Sequence, residues 1–273
     1  MAMLRSLKAL DGYRVAATDG ELGSVVNFLF DDERWTLRYL VVKTGHFFDE
    51  RKVLISPISF SGVDWSTDLF HLALTMDKIK KSPGVDTDQP VSRQHERDYY
   101  RYYGYPYYWG YSGAWAMGAY PGWLAAGGWD ETPRGETSGQ ASNDAHLRSA
   151  NEVRGYHIQG SDDAIGKVSD FIVDDETWEI RYLAIDTSHW GLGKRVLVAP
   201  RWANRVSWDQ RKVYVDLSRQ AIKNSPEWDG NTLITREYEA RMHEYYGRPP
   251  YWGSDDRSEG PKPPQREGIA SSR

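Results

Sequence analysis

The sequence predicts a mainly β protein: two small β-barrels in tandem, each followed by a short helix and an aromatic tail. Three observations carry that prediction. The stretch 23–43, GSVVNFLFDDERWTLRYLVVK, is written again at 166–186, GKVSDFIVDDETWEIRYLAID, and each copy reads as a hairpin of two apolar runs around an acidic turn and a tryptophan. The offset that aligns Trp35 with Trp178 holds without a gap well beyond the hairpin, with about a third of the aligned positions identical, so the unit is a duplicated domain and not a solenoid repeat. Turn residues punctuate each copy at short intervals and no long crossover helix separates the strands, which favours a closed barrel over a doubly wound sheet.

Each element has its own signal. Residues 13–17 read as a first strand, turned by Thr18-Asp19-Gly20, with Ser161-Asp162-Asp163 as the counterpart. In the second hairpin strand, alternation puts Leu37, Tyr39 and Val41 on one face and Arg38, Leu40 and Val42 on the other. Both faces are thus partly apolar. A small barrel needs only its inner face apolar, so Leu40 and Val42, with Leu183 and Ile185 in the second copy, are expected to be covered by the other repeat or by a second chain. A loop at 44–51 leads to a strand at 52–55 that Pro57 ends. Strands follow near 58–65 and 69–74, and in the second copy 212–217 alternates cleanly. The run from Ser218 reads as one or two helical turns closed by Pro226.

Beyond each barrel, 91–103 and 234–246 are charged and free of proline and glycine, so each reads as a helix. Ser92 and Thr235 stand at the N-cap position, with Glu96 and Glu239 in the first turn, and Gly104 and Gly247 at the C-terminal ends. The boundaries expected are 7–86 for the first barrel, 91–104 for its helix, 150–229 for the second barrel and 234–247 for its helix. The segment 105–149, rich in Gly, Tyr and Trp and then polar, reads as a largely disordered linker, and 248–273 as a disordered tail. A second reading of the linker makes it a tether anchored by Trp115, Trp123 and Trp129.

Composition narrows the function. A net charge of −5 with 27% charged residues supplies no basic excess to hold a phosphate backbone, which disfavours DNA and makes an RNA- or ribosome-associated role the weaker alternative. Without cysteine there are no disulfides and no thiolate nucleophiles or ligands, and a reducing cytoplasm is the expected location. No segment has the unbroken apolar run of a membrane helix.

The repeat resembles the PRC-barrel family, named for the cytoplasmic domain of the H subunit of bacterial photosynthetic reaction centres. The likeness rests on Gly23-Ser24-Val25-Val26-Asn27 and Gly166-Lys167-Val168-Ser169-Asp170, the turn with Trp and Arg-Tyr-Leu, and then Val53-Leu54-Ile55-Ser56-Pro57 with Ser82-Pro83 and Val196-Leu197-Val198-Ala199-Pro200 with Ser225-Pro226. It covers roughly 7–86 and 150–229. The resemblance implies a bacterial β-strand module for binding or assembly, with no enzyme activity, no cofactor and no catalytic residue to carry over. A subunit or assembly factor of photosynthetic electron-transfer machinery is the alternative it raises, and a stress-related adaptor role is another setting.

Four features invite a chemical reading. His46 and His189 share a loop position, but one histidine per barrel is too few for a structural zinc. The acidic turns Asp31-Asp32-Glu33 and Asp174-Asp175-Glu176 lack the alternating ligands and turn glycine of a calcium loop. Gly191-Leu192-Gly193-Lys194-Arg195 has neither the spacing nor the following helix of a phosphate loop. Arg38 and Arg181, beside Tyr39 and Tyr182, are either outward anchors for a partner or partners of the acidic turns. The expectation is therefore a scaffold with a protein partner, or with barrel–barrel packing or self-association. Its candidate interface is Arg38, Leu40, Val42, Arg181, Leu183 and Ile185, with Tyr108, Trp109, Tyr251 and Trp252 of the tails; no metal or cofactor is expected.

Overall fold

The computed structural model describes residues 2–45, 51–83, 91, 93–109, 147–188 and 193–252. In chain order the first half supplies β1 (Leu4–Ser6), β2 (Arg14–Ala17), β3 (Gly20–Asp31), β4 (Thr36–Thr44), β5 (Lys52–Ile55), β6 (Phe60–Asp64), β7 (Leu69–Leu72), α1 (Met76–Lys80) and α2 (Arg93–Tyr103). The second half supplies β8 (Leu147–Ser149), α3 (Ala150–Val153), β9 (His157–Gln159), β10 (Ala164–Asp174), β11 (Ile180–Asp186), β12 (Arg195–Val198), β13 (Ala203–Ser207), β14 (Lys212–Val215), α4 (Arg219–Asn224) and α5 (Arg236–Tyr245). The protein is mainly β, with two seven-stranded sheets and a few short helices.

The chain divides into two compact units. One comprises Leu7–Asn151 with Asp175–Glu179, and the other Met1–Ser6, Glu152–Asp174 and Ile180–Arg273. In the first, the strand order is β5-β4-β3-β2-β7-β6, with β8 added on β3. All pairs are antiparallel except β2 with β7. The outer strands of that path, β5 and β6, are joined by a single 3-10 turn at Pro57–Ser59. Residues 56–59 reach no more than about 14 Å even fully extended, so the sheet has to curl until its two ends lie side by side. Pro57 suits the start of that turn because its φ is already fixed, and Ser56 Oγ accepts from Ile58 N. Phe28, Ile58, Phe70 and Ile79 are fully buried inside this curl.

The second unit repeats the plan as β12-β11-β10-β9-β14-β13, with β1 added on β10 and Pro200–Trp202 as the joining turn. β1 lies ahead of the expected start of the first barrel at residue 7, and β8 corrects the reading of 147–149 as linker. Leu4 opposes Asp174 and Leu147 opposes Asp31, so both three-residue strands, each Leu-Arg-Ser, pair in the same register with the far end of a long strand. Strands so short carry no alternation to read; only the recurrence of Leu-Arg-Ser at the repeat offset marks them. The turn Asp175–Glu179 counts with the first unit. There Trp178, with φ +60°, packs on Phe60 and Phe70, and its carbonyl accepts from Leu37 N at 2.9 Å.

α2 and α5 are the helices expected after each barrel. Thr235 Oγ1 accepts from Tyr238 N at 3.2 Å as the N-cap of α5, while Ser92 lies outside the described residues. Gly104 and Gly247 follow with φ of +74° and +61°, the left-handed conformation that ends a helix. Two further stretches depart from the expectation of disorder. Tyr105 is buried and stacked on Tyr103 at 5.2 Å, and residues 105–109 and 248–252 pack against the barrels. Among the described residues no helix is long and apolar enough to cross a membrane.

Candidate functional site

The site grows from a flaw in the hairpin. Leu29 opposes Tyr39 and Phe30 opposes Leu37, so Arg38 is the extra residue of a β-bulge in β4; Arg181 is the extra residue of β11, between Ile180 opposite Val173 and Tyr182 opposite Ile172. A bulge breaks alternation and re-aims a side chain. Arg38 is accordingly no outward anchor: it is 0% exposed, with Nη2 3.1 Å from Asp31 Oδ2. Arg181 makes the same pair with Asp174 at 3.2 Å. The acidic turn has a structural task besides, since Asp31 Oδ1 accepts from Glu33 N and Arg34 N and Asp32 pairs with Arg148 at 2.9 Å.

Each guanidinium lies against a tail tyrosine, Arg38 at 3.7 Å from the Tyr108 ring centre and Arg181 at 4.2 Å from that of Tyr251. The helix then grips the phenol. Tyr108 OH donates to Glu96 Oε1 at 2.6 Å, Arg93 Nη1 donates to both Tyr108 OH and Glu96 Oε2 at 2.8 Å, and Tyr39 OH adds a longer bond to Glu96 at 3.3 Å. In the second copy Tyr251 OH donates to Glu239 Oε1 at 3.0 Å and Tyr182 OH to the same oxygen at 2.8 Å. Arg236 Nη1 bonds Tyr251 OH at 3.1 Å and Glu239 Oε2 at 2.9 Å. Every member of one cradle maps onto the other by the offset that aligns Trp35 with Trp178.

Burial dominates the electrostatics. It pushes the Glu96 carboxyl up to about 7 against the opposing pull of Arg93 and the Tyr108 hydroxyl, and it raises Glu239 in the same direction. The Tyr39 and Tyr182 hydroxyls are held well above their ordinary range by burial and then by these same carboxylates. The copies differ at one neighbour. Tyr100 packs edge-on to Tyr39, while its counterpart His243 has Nε2 3.0 Å from Tyr182 OH and Nδ1 3.3 Å from the Arg248 carbonyl. Burial, then Arg201, pushes His243 down to about 4.

The expected interface residues fall into two groups. Leu40, Val42, Leu183 and Ile185, expected to be covered by the other repeat or by a second chain, are all 0% exposed. Tyr108 is buried too, whereas Trp109, Tyr251 and Trp252 are half-buried. Trp109 stacks on Tyr107 at 4.5 Å beneath Arg93, and Trp252 lies 4.1 Å from the Arg236 guanidinium with His243 edge-on at 5.2 Å. Sequence reasoning left out Arg93, Glu96, Arg236 and Glu239 as site residues, reading the glutamates only as first-turn charges. Their recurrence at the repeat offset, outside the barrels, was the available signal.

Chemically the cradle holds an aromatic side chain. Both carboxylate oxygens are engaged by phenols and a guanidinium. Among the described residues no group of three acidic or histidine side chains is arranged to hold a metal ion. His46, His189, Gly191, Leu192, Trp115, Trp123 and Trp129 lie outside the described residues.

Residues 146–222 fit the family model of the PRC-barrel domain. No curated protein matches the chain.

Proposed function

We propose that this chain is a non-catalytic binding or scaffold protein that contacts a protein partner through the aromatic surfaces at its two helix–tail junctions. A PRC-barrel domain suggests such a role. The observation that carries the reading is the duplicated cradle. In each copy the bulge arginine, the helix arginine and the helix glutamate fix one tyrosine, and the tryptophan next to it is held half-exposed under an arginine. Tryptophan and arginine in rigid, partly desolvated settings are the residues that dominate protein interfaces. Two such surfaces on one chain raise avidity for a partner that can reach both. The lack of cysteine fits action in a reducing cytoplasm.

The test uses the full chain as bait in native extract beside a W109A/W252A variant matched for fold by circular dichroism. Proteins captured by the first and lost by the second support the reading. Equal capture by both overturns it.

A further inference from the structure

We infer that the cleft between β11 and α5 is a receptor for a Pro-x-Tyr-Trp segment of a partner protein, and that residues 249–252 fill it in cis as a displaceable plug. The inference rests on the proposed function and names the partner chemistry. The motif is read from the occupants. The first cradle holds Pro106-Tyr107-Tyr108-Trp109 and the second Pro249-Pro250-Tyr251-Trp252, so the same spacing of proline, tyrosine and tryptophan is gripped twice by equivalent residues. Only Tyr and Trp make the shared contacts: phenol to glutamate and arginine, ring to the bulge arginine, indole to Arg93 or Arg236. Proline ahead of them holds the segment extended, which lowers the entropy lost on docking.

The two plugs are not held alike. In the first, Tyr105 is buried against Tyr103, Tyr107 stacks on Trp109, and Arg34 Nη1 donates to the Tyr108 carbonyl at 2.6 Å. The aligned residues of the second copy are Arg248, Pro250 and Thr177, none of which can repeat those contacts. Arg248 meets the Asp216 side chain only at 3.4 Å in an exposed pair, and the backbone is held by Arg201 Nη2 to the Pro249 carbonyl at 2.7 Å, by Arg248 N to the His243 carbonyl at 3.0 Å and by His243 Nδ1 at 3.3 Å from the Arg248 carbonyl. Tyr251 is half-buried where Tyr108 is fully buried. The recognising groups are therefore intact in the second cleft while the ring stacking and the Arg34 bond that fasten the first occupant have no counterpart.

The probe is a labelled synthetic peptide of residues 105–109, titrated into the full wild-type chain and into a full-length Y251A/W252A variant whose cleft is emptied. The variant is expected to bind saturably. The wild type binds about tenfold or more weakly, because only the fraction of molecules with the plug out can accept the peptide. The same peptide with phenylalanine at its fourth position loses most of its affinity, as does the wild-type peptide for a Y251A/W252A/E239Q chain. A variant that keeps the wild-type circular dichroism yet shows no saturable binding, or binds a scrambled peptide equally, overturns the inference. If Y251A/W252A does not fold, hydrogen exchange on the wild type decides. Peptide that accelerates exchange at the amides of Arg248, Tyr251 and Trp252 supports the inference, and unchanged exchange at saturating peptide overturns it. A peptide-free dimer that the peptide dissolves would assign the occupant to a second copy and overturn the partner assignment. Capture of a partner in extract without peptide binding to the emptied cleft sinks this inference alone. Peptide binding without a captured partner upholds it while the scaffold reading fails.

Discussion

Glu96 offers the sharpest test of how the cradle works. The carboxyl is 1% exposed and burial lifts it from an ordinary 4.5 to about 7, so the folded chain holds that proton more tightly than the unfolded chain does. The sign follows: its contribution to stability is full below 4.5 and is lost as pH rises through about 7. At 1.36 kcal/mol per pH unit, the loss between those limits is about 3 kcal/mol. E96Q keeps the shape and an acceptor for Tyr108 OH but cannot ionise. Urea unfolding of both proteins at pH 5 and pH 8, followed by far-ultraviolet circular dichroism, gives the difference between them, in which groups common to both cancel. The wild type should lose about 2–3 kcal/mol relative to E96Q on going from pH 5 to pH 8, since a little of the loss is already present at pH 5. A difference that does not change with pH would refute the idea that burial outweighs Arg93 at this carboxyl.

Other perturbations separate the remaining parts. R38M strands Asp31, 2% exposed, without its ion partner and should cost about 3–5 kcal/mol by chemical denaturation; D31N added to it should recover part of that loss. H243Y, which installs the first copy's residue, should remove an acid sensitivity. Because the folded chain holds His243 neutral down to about 4, its contribution is present above its ordinary 6.5 and is lost as pH falls towards 4, so thermal melts at pH 4 and 7 should converge in the variant. G23A should destabilise by at least about 1–3 kcal/mol through backbone strain alone, because φ is +154° there and a Cβ would lie 2.0 Å from the Lys43 carbonyl oxygen; urea denaturation measures it.

The mainly β architecture with two sheets was readable because the hairpin pattern, the turn residues and the prolines all occur twice at one offset. The face assignments were not. Alternation holds only while each residue has one partner, and the bulges at Arg38 and Arg181 leave two residues facing one, so an arginine that period-two counting sends outward ends up against Asp31 or Asp174. The tails misled for a different reason. Glycine, proline and tyrosine in quick succession lack periodicity, and what orders Tyr108 is contact with Arg38 and Glu96, which lie too far along the chain for a local window to connect. Helix reading failed at Glu96 and Glu239 in the same way: a glutamate in a first turn is usually a solvated charge, and only the tyrosine that reaches back from beyond the helix end makes it a buried one.

What the copies share and what they trade follows from how each group is coupled. Asp31, Arg38, Glu96, Arg93 and Tyr108 form a network in which removing any one leaves another buried charge or phenol unsatisfied, and partly satisfied buried networks cost more than apolar packing. Those five positions carry the same residues in the second copy. Tyr100, Tyr105 and Tyr107 contribute mainly ring contacts, each of which can be given up without stranding a charge, and these are the positions that read His243, Arg248 and Pro250 in the second copy. The grip on a tyrosine is therefore an all-or-none assembly, while the strength with which the rest of the tail is fastened can vary from copy to copy. That separation allows one tail to be a permanent part of its barrel and the other to come away.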